Sequence, residues 1–304
     1  MTNKVPQISV IMPTFNCEKY ISEAINSVLR QTFSDFELII VDNESTDGTL
    51  EIINSYSDSR IQITQCRNNG VIAKSRNIGV EMSRSKIIAF LDADDFWCPT
   101  KLAECFPMIG MNGDVVYHSE YWFDEEGNFK ETEYASGNRT KYRTLLYRGN
   151  VVSTSSVVVK KAELLRVGGF CEKESYKTAE DYDLWLRMSK NGNRFVYLKR
   201  VLGAYRIHSA NSIKQEEIHE RAMIAVLTDH FRLGQMSFLQ SLRARRRMSL
   251  LFAESGFTKA RNGEVKNSLY KFLKAMTYYP LGYRGLALLV GSIPCYLRIY
   301  GKKL

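Results

Sequence analysis

Phosphate-binding signatures are missing from this sequence. No GxGxxG follows an apolar run and no GxxxxGK[ST] occurs in its 304 residues, so neither a dinucleotide fingerprint nor a P-loop is present. Cysteine is sparse and unpatterned. The six, Cys17, Cys66, Cys98, Cys105, Cys171 and Cys295, form no CxxC pair, which argues against a zinc site or a disulfide framework and for reduced cytoplasmic thiols. Residues 1–7 are polar and lack the basic stretch and apolar core of a secretion signal. Long apolar runs are absent as well. The longest uncharged stretch near the C-terminus, Gly285 to Leu297, has 13 residues. As a helix it would be about 20 Å long, against the ~30 Å of a hydrocarbon core.

What is present is a folding composition with an uneven charge. Hydrophobic residues make up 44% and charged residues 25%, which excludes a disordered chain. The formal net charge is +9, yet residues 231–304 hold 14 Lys or Arg and 2 acids, while residues 1–230 come to −3. The basicity belongs to the tail. A nucleic-acid groove across the main body is disfavoured, and an anionic membrane surface or an acidic partner for the tail is favoured.

The first hundred residues alternate short apolar runs with amphipathic segments: strands at Ile8–Met12, Phe36–Val41, Arg60–Gln65 and Lys86–Leu91, helices at Glu18–Leu29, Thr46–Tyr56 and Ile72–Met82. Continuous apolarity in the strands implies burial on both faces, as in a parallel sheet covered by helices. The fold class is therefore α/β, and ligands of such a sheet bind at the carboxyl ends of its strands. A hairpin is expected over 114–134, a buried strand over 155–159, a helix over 179–188 and a strand over 195–206. Helices follow at 216–231, 237–253 and 265–278, the last stopped before Pro280.

Three acidic or basic groups at these ends carry chemistry. Asp92-Ala93-Asp94 closes an apolar strand with two carboxylates, which suits a hard divalent ion bridging phosphates, or simply caps a turn. Glu180-Asp181 opens a helix, either as a first-turn acidic pair or as the source of a general base for an attacking hydroxyl. His208, after a strand, serves as a ligand to metal or phosphate or as a solvent histidine. Asn68, Lys74 and Arg76 around Gly70 contact a nucleotide or decorate a helix start.

Taken in order, these motifs resemble glycosyltransferase family 2. The carriers are Val10-Ile11-Met12-Pro13-Thr14-Phe15-Asn16, then Phe36 to Asn43 with Ser45, Asp47 and Gly48, then Asn68 to Gly70 with Arg76-Asn77. Phe90-Leu91-Asp92-Ala93-Asp94-Asp95 resembles the DxD motif, and Glu180-Asp181-Tyr182-Asp183-Leu184-Trp185 the acceptor-side ED motif. The likeness covers about residues 7–210 and implies the GT-A fold, a Rossmann-like, mostly parallel sheet flanked by helices. It also implies inverting transfer of a sugar from a nucleotide-diphosphate donor, a UDP-sugar, to a hydroxyl of a glycan or polyprenyl-linked glycan in surface polysaccharide synthesis.

By position, the resemblance assigns Pro13, Phe15, Asp42, Asn68 and Arg76 to the nucleotide. Asp92 goes to the ribose or metal shell, Asp94 and His208 to Mn2+ or Mg2+, Asp181 to the general base and Glu180 to acceptor orientation. Glu44 departs from the family pattern after the second strand, which touches fine base recognition only. A nucleotidyltransferase or an inactive nucleotide-sugar-binding module on the same fold is the alternative.

Residues 1–230 are expected to form the catalytic domain, with a nucleotide-binding half to about 112 and an acceptor half beyond it, and 231–304 a basic helical region. In that region Arg243, Arg245, Arg246 and Arg247 would face anionic headgroups while Leu286, Leu289, Ile293 and Tyr296 enter the interface, or the helices form a hairpin packed on the catalytic domain with a solvated basic face. In the first case the enzyme would be cytoplasmic and peripheral on the inner face of a membrane.

Overall fold

The computed structural model describes residues 4–111, 113–124, 126–134, 137–208, 216–232 and 236–280. The expectation for Leu286, Leu289, Ile293 and Tyr296 lies outside them. The described residues fall into two compact units, the first up to residue 208 and the second from residue 216.

The first unit begins β1 (Ile8–Thr14), α1 (Ile21–Leu29), β2 (Phe36–Asp42), α2 (Thr49–Asn54), β3 (Ile61–Gln65), α3 (Ile72–Met82) and β4 (Ile87–Phe90). It continues with β5 (Phe96–Trp97), α4 (Lys101–Met111), β6 (Val115–Asp124), β7 (Phe129–Thr132), α5 (Tyr142–Arg148), β8 (Val158–Lys160), α6 (Lys161–Arg166), α7 (Glu180–Lys190) and β9 (Phe195–Ile207). One sheet runs β3-β2-β1-β4-β8-β6-β9-β5, with β7 paired to β6. Its first four strands are parallel, as the unbroken apolarity of β1 and β2 anticipates, and every residue of those two strands is buried. From β8 onward the sheet is mixed: β8 runs antiparallel to both β4 and β6, while β6 and β9 are parallel.

Register places the functional ends together. Thr14 lies opposite Asp42 and Ile11 opposite Phe90, so the loops after β1, β2 and β4 emerge side by side. On one face, Ile21, Ala24, Ile25 and Val28 of α1 are buried at helical spacing. Toward the other, α3 comes so close to β1 that a Cβ on Gly79 would stand 2.4 Å from Ile11 Cγ2, and only glycine fits there. In β6, Val115 through Glu120 are buried, and the strand then emerges toward solvent from Tyr121 onward.

The second unit contains α8 (Glu216–Arg232), α9 (Phe238–Arg261) and α10 (Val265–Tyr278). A capping box starts α9: the Gln240 N–H donates to Ser237 Oγ, and Gln240 Oε1 accepts from the Ser237 N–H. The helix runs past the expected stop near Ala253 to Arg261. Gly256 sits inside it because the Phe272 ring of α10 leaves no room for a side chain, and Ser268 Oγ donates to the Gly256 carbonyl at 2.8 Å. Of the four arginines assigned to headgroups, Arg243, Arg245 and Arg246 are exposed. Arg247 is not: it is 6% exposed, and it turns inward on the face that buries Ala244, Met248 and Leu251. Among the described residues no helix is long and apolar enough to cross a membrane.

Candidate active site

The loops after β1 and β2 are laced to each other. Asn16, in the left-handed region at φ 47, donates its N–H to Ser45 Oγ and accepts from the Thr46 N–H at 2.8 Å. Buried Asp42 accepts from Ser45 Oγ at 2.5 Å, from the Ser45 N–H at 3.0 Å and from Gln65 Nε2 at 3.3 Å. Glu44, the residue that departs from the family pattern, also takes a positive φ of 53, a conformation that costs a non-glycine residue ~1 kcal/mol. Asn68 is buried and braces its own turn, accepting from the Gly70 N–H and donating to Ser75 Oγ, both at 2.7 Å. Pro13 is buried at the end of β1, while Phe15, two residues on, is 54% exposed.

At the end of β4 stands a buried ion network. Arg76 is 3% exposed; its Nη2 donates to Asp92 at 2.7 and 3.1 Å and its Nη1 to Glu180 Oε1 at 2.6 Å. Burial works against the Arg76 charge, but Asp92 and Glu180 outweigh it and hold the guanidinium more firmly protonated than in water. Sequence reasoning assigned Arg76 to the nucleotide and Glu180 to the acceptor. In the structure both are engaged with each other, tying the DxD strand end to the start of α7. Asp95 is buried and accepts from Ser155 Oγ at 2.6 Å and from the Arg206 N–H at 3.0 Å; burial, then neighbouring Asp94, pushes its carboxyl well up.

Asp94 and His208 are in contact. His208 Nε2 lies 2.9 Å from Asp94 Oδ2, and its ring packs against Tyr20 with centroids 4.9 Å apart. The two atoms are in direct contact with each other; a carboxylate oxygen and an imidazole nitrogen are donors that Mn2+ accepts well and Mg2+ accepts through the oxygen. Asp92, with its charge met by Arg76, is the weaker donor. Among the described residues no three His, Cys, Asp or Glu converge on a metal position.

Sequence reading missed Arg206. It donates from Nε to the Asp94 carbonyl at 3.0 Å, pairs with Glu23, and lies over the rings of Tyr20 and Phe123 at 4.6 and 4.4 Å. It fixes the backbone that carries Asp94, and its only signal was its place two residues before His208.

Asp181 is partly exposed at the first turn of α7. Its Oδ2 accepts from Thr154 Oγ1 at 3.3 Å and Asn150 Nδ2 at 3.4 Å, and its Oδ1 from the Tyr182 N–H at 2.6 Å. Burial, followed by the charge of Glu180, raises its pKa to about 7. That is where a general base is most effective near neutrality. The residue after Thr154, Ser155, accepts from the Asp92 N–H at 3.1 Å while donating to Asp95. One turn, Thr154–Ser156, thus touches both acidic groups. Nothing in its run of serines marked it beforehand.

A mixed sheet with a DxD end, a histidine beside it and an acidic pair across the strand ends defines the GT-A class of nucleotide-sugar transferases. The family model for glycosyl transferase family 2 matches residues 9–163, half of the chain, and the chain belongs to that family. It is 33% identical over 228 residues to an uncharacterised glycosyltransferase of Methanocaldococcus jannaschii, covering 70% of this chain and 77% of the relative. It is 29% identical over 212 residues to WfaP of Escherichia coli, a UDP-Glc:alpha-D-GlcNAc-diphosphoundecaprenol beta-1,3-glucosyltransferase, covering 68% and 82%. The mannosyltransferase PcManGT of Pyrobaculum calidifontis, solved with GDP-Man and Mn2+, shares the fold with a TM-score of 0.62 at 16% identity, covering 97% of this chain and 81% of that one.

Proposed function

We propose that this glycosyltransferase moves a hexosyl or N-acetylhexosaminyl group from a UDP-sugar to a hydroxyl of a lipid-linked glycan in polysaccharide synthesis, with inversion at the anomeric carbon. The observation that carries the reading is the juxtaposition of two differently tuned acidic centres. Asp94 and His208, 2.9 Å apart, would offer a carboxylate and an imidazole to a cation, and burial raises the Asp181 pKa to about 7. WfaP, whose name gives UDP-Glc and a diphosphoundecaprenol acceptor, supports the substrate classes.

The nucleotide half lies before residue 112. Asp42, fully buried behind its three hydrogen bonds, holds the loop that frames the base, Phe15 offers its exposed ring to the base, and Asn68 keeps the adjoining turn in shape. Asp94 and His208, together with Asp92, would hold Mn2+ or Mg2+, and the ion would supply charge neutralisation for the departing diphosphate. In the acceptor half, Asp181 Oδ2 takes the proton of the acceptor hydroxyl. The oxygen forms a bond to the anomeric carbon from the face opposite the diphosphate, and the bond to the phosphate oxygen breaks with its electron pair. Arg76 and Glu180 keep the two halves in register throughout.

The second unit fits a docking role at a cytoplasmic membrane face where such an acceptor sits. Arg243, Arg245 and Arg246 are exposed on α9, and Leu269, Tyr270 and Leu273 are exposed on α10 beside Lys266. The test of the reaction is nucleoside-diphosphate release from UDP-, GDP- and dTDP-sugars with lipid-diphosphate glycans. UDP release that depends on acceptor and on added Mn2+ or Mg2+ is expected. Release from none of the donors, or full turnover in EDTA, overturns it.

A further inference from the structure

β6 and β9 run parallel, with Glu120 opposite Gly203 and Trp122 opposite Tyr205, so these four positions share one face of the sheet. Along that face the chemistry changes with depth. His118 and Glu120 are fully buried, whereas Trp122 and Tyr205, the next pair outward, are partly exposed with ring centroids 5.3 Å apart. Tyr134, beyond β7, is also partly exposed. Its hydroxyl accepts from Trp122 Nε1 at 3.2 Å and donates to Glu120 Oε2 at 2.6 Å. The other two tryptophans, Trp97 and Trp185, are buried in the core.

This aromatic group is connected to both acidic centres. The Tyr205 hydroxyl is held protonated by burial and then by the charges of Asp95, Asp94 and Asp92. On the other side, Ser153 hydrogen-bonds Glu120 and Tyr134, and the next residue, Thr154, donates to Asp181. Three partly exposed aromatic rings, one residue of backbone away from the contact to the base, are more than a core needs.

We infer that Trp122, Tyr205 and Tyr134 form the acceptor subsite, a platform on which a pyranose ring of the acceptor stacks. The inference rests on the transferase reading above for the role of Asp181. A pyranose has an apolar C–H face and a polar rim, and a Trp or Tyr ring offers an apolar face with a polar tip, so the two match in both respects. Buried Glu120 fixes the Tyr134 hydroxyl from beneath, and the partly exposed Tyr134 supplies the polar tip at the rim. The surface therefore selects a carbohydrate whose reactive hydroxyl lies within one ring's width of the stacked face, rather than a lipid or a peptide.

Because Trp122 is the only partly exposed tryptophan, intrinsic fluorescence reads the subsite directly. The probes are methyl glycosides of glucose, galactose and N-acetylglucosamine in both anomeric forms, titrated with UDP and Mn2+ present. A saturable change is expected with at least one probe. Its midpoint should rise at least about tenfold in Tyr205→Leu, equivalent to ~1.4 kcal/mol. With a transferable acceptor, Trp122→Leu should raise acceptor KM at least about tenfold while donor KM moves less than about twofold. Saturable glycoside binding without any transfer upholds the subsite and removes the enzymatic reading. No saturable change with any glycoside, or turnover with acceptor KM unaltered in both variants, removes the subsite and leaves the enzymatic reading standing.

Discussion

Replacing Arg76 with leucine should be among the most costly single changes in the first unit. The guanidinium is 3% exposed and satisfies two carboxylates, at 2.6 Å to Glu180 and 2.7 Å to Asp92. Leucine fills part of the volume but leaves both acids without their counter-charge. Breaking a buried ion pair from one side costs ~3–5 kcal/mol, a large part of a stability of ~5–15 kcal/mol. With an m-value of about 2 kcal/mol/M, the urea midpoint should fall by about 1.5–2.5 M. All three tryptophans, Trp97, Trp122 and Trp185, lie in the first unit, so their emission follows its unfolding without a contribution from α8–α10. The loss should be partly restored by Glu180→Gln in the same chain, which removes one stranded charge. A midpoint within about 0.3 M of the parent would refute the view that this network ties the strand end to α7.

Three further outcomes follow. Asp181→Asn should raise Tm at pH 8: burial lifts the carboxyl from an ordinary value of 3.8 to about 7, so ionising it opposes folding above pH 7. That gain should shrink as pH falls from 7 toward 4, and a gain independent of pH would contradict the assignment. Gly79→Ala should destabilise by ~1–3 kcal/mol in the same urea assay, because its methyl would collide with Ile11; an unchanged midpoint would show that α3 yields. In co-sedimentation, anionic vesicles should bind the full chain in a salt-sensitive manner. Replacing exposed Arg243 and Arg246 with glutamine should weaken binding, each worth up to ~1 kcal/mol, and equal binding to neutral vesicles would remove the membrane role.

The parts legible in advance were those written in local periodicity. β1, β2 and β4 and their helices follow from apolar runs that must be covered on both faces, whereas β3, expected to be buried likewise, is the edge strand and stays partly exposed; DxD and ED lie at element ends where sequence spacing alone puts them. Long-range pairing was not legible. That β8 inserts antiparallel between β4 and β6 depends on contacts across about seventy residues, and no local pattern records them. For the same reason Arg76 read as a nucleotide ligand when its partner, Glu180, is 104 residues away. Arg247 read as a surface charge because a run of arginines conceals which member faces inward. Lys101 shows the limit from the other side: it is fully buried with its ammonium 3.4 Å above the Trp97 ring, and burial pulls its pKa down to about 7.

The central claim is that Asp181 removes the acceptor proton, and the most direct measurement is the pH dependence of kcat for the parent and for Asp181→Asn at saturating donor and metal. For the parent, kcat should rise tenfold per pH unit below about 7 and level above it, since the base works only when deprotonated. The variant should lose at least ~100-fold and lose that limb while binding UDP as tightly as the parent. A variant that retains the same limb near pH 7, or that loses UDP binding instead of turnover, would contradict the account.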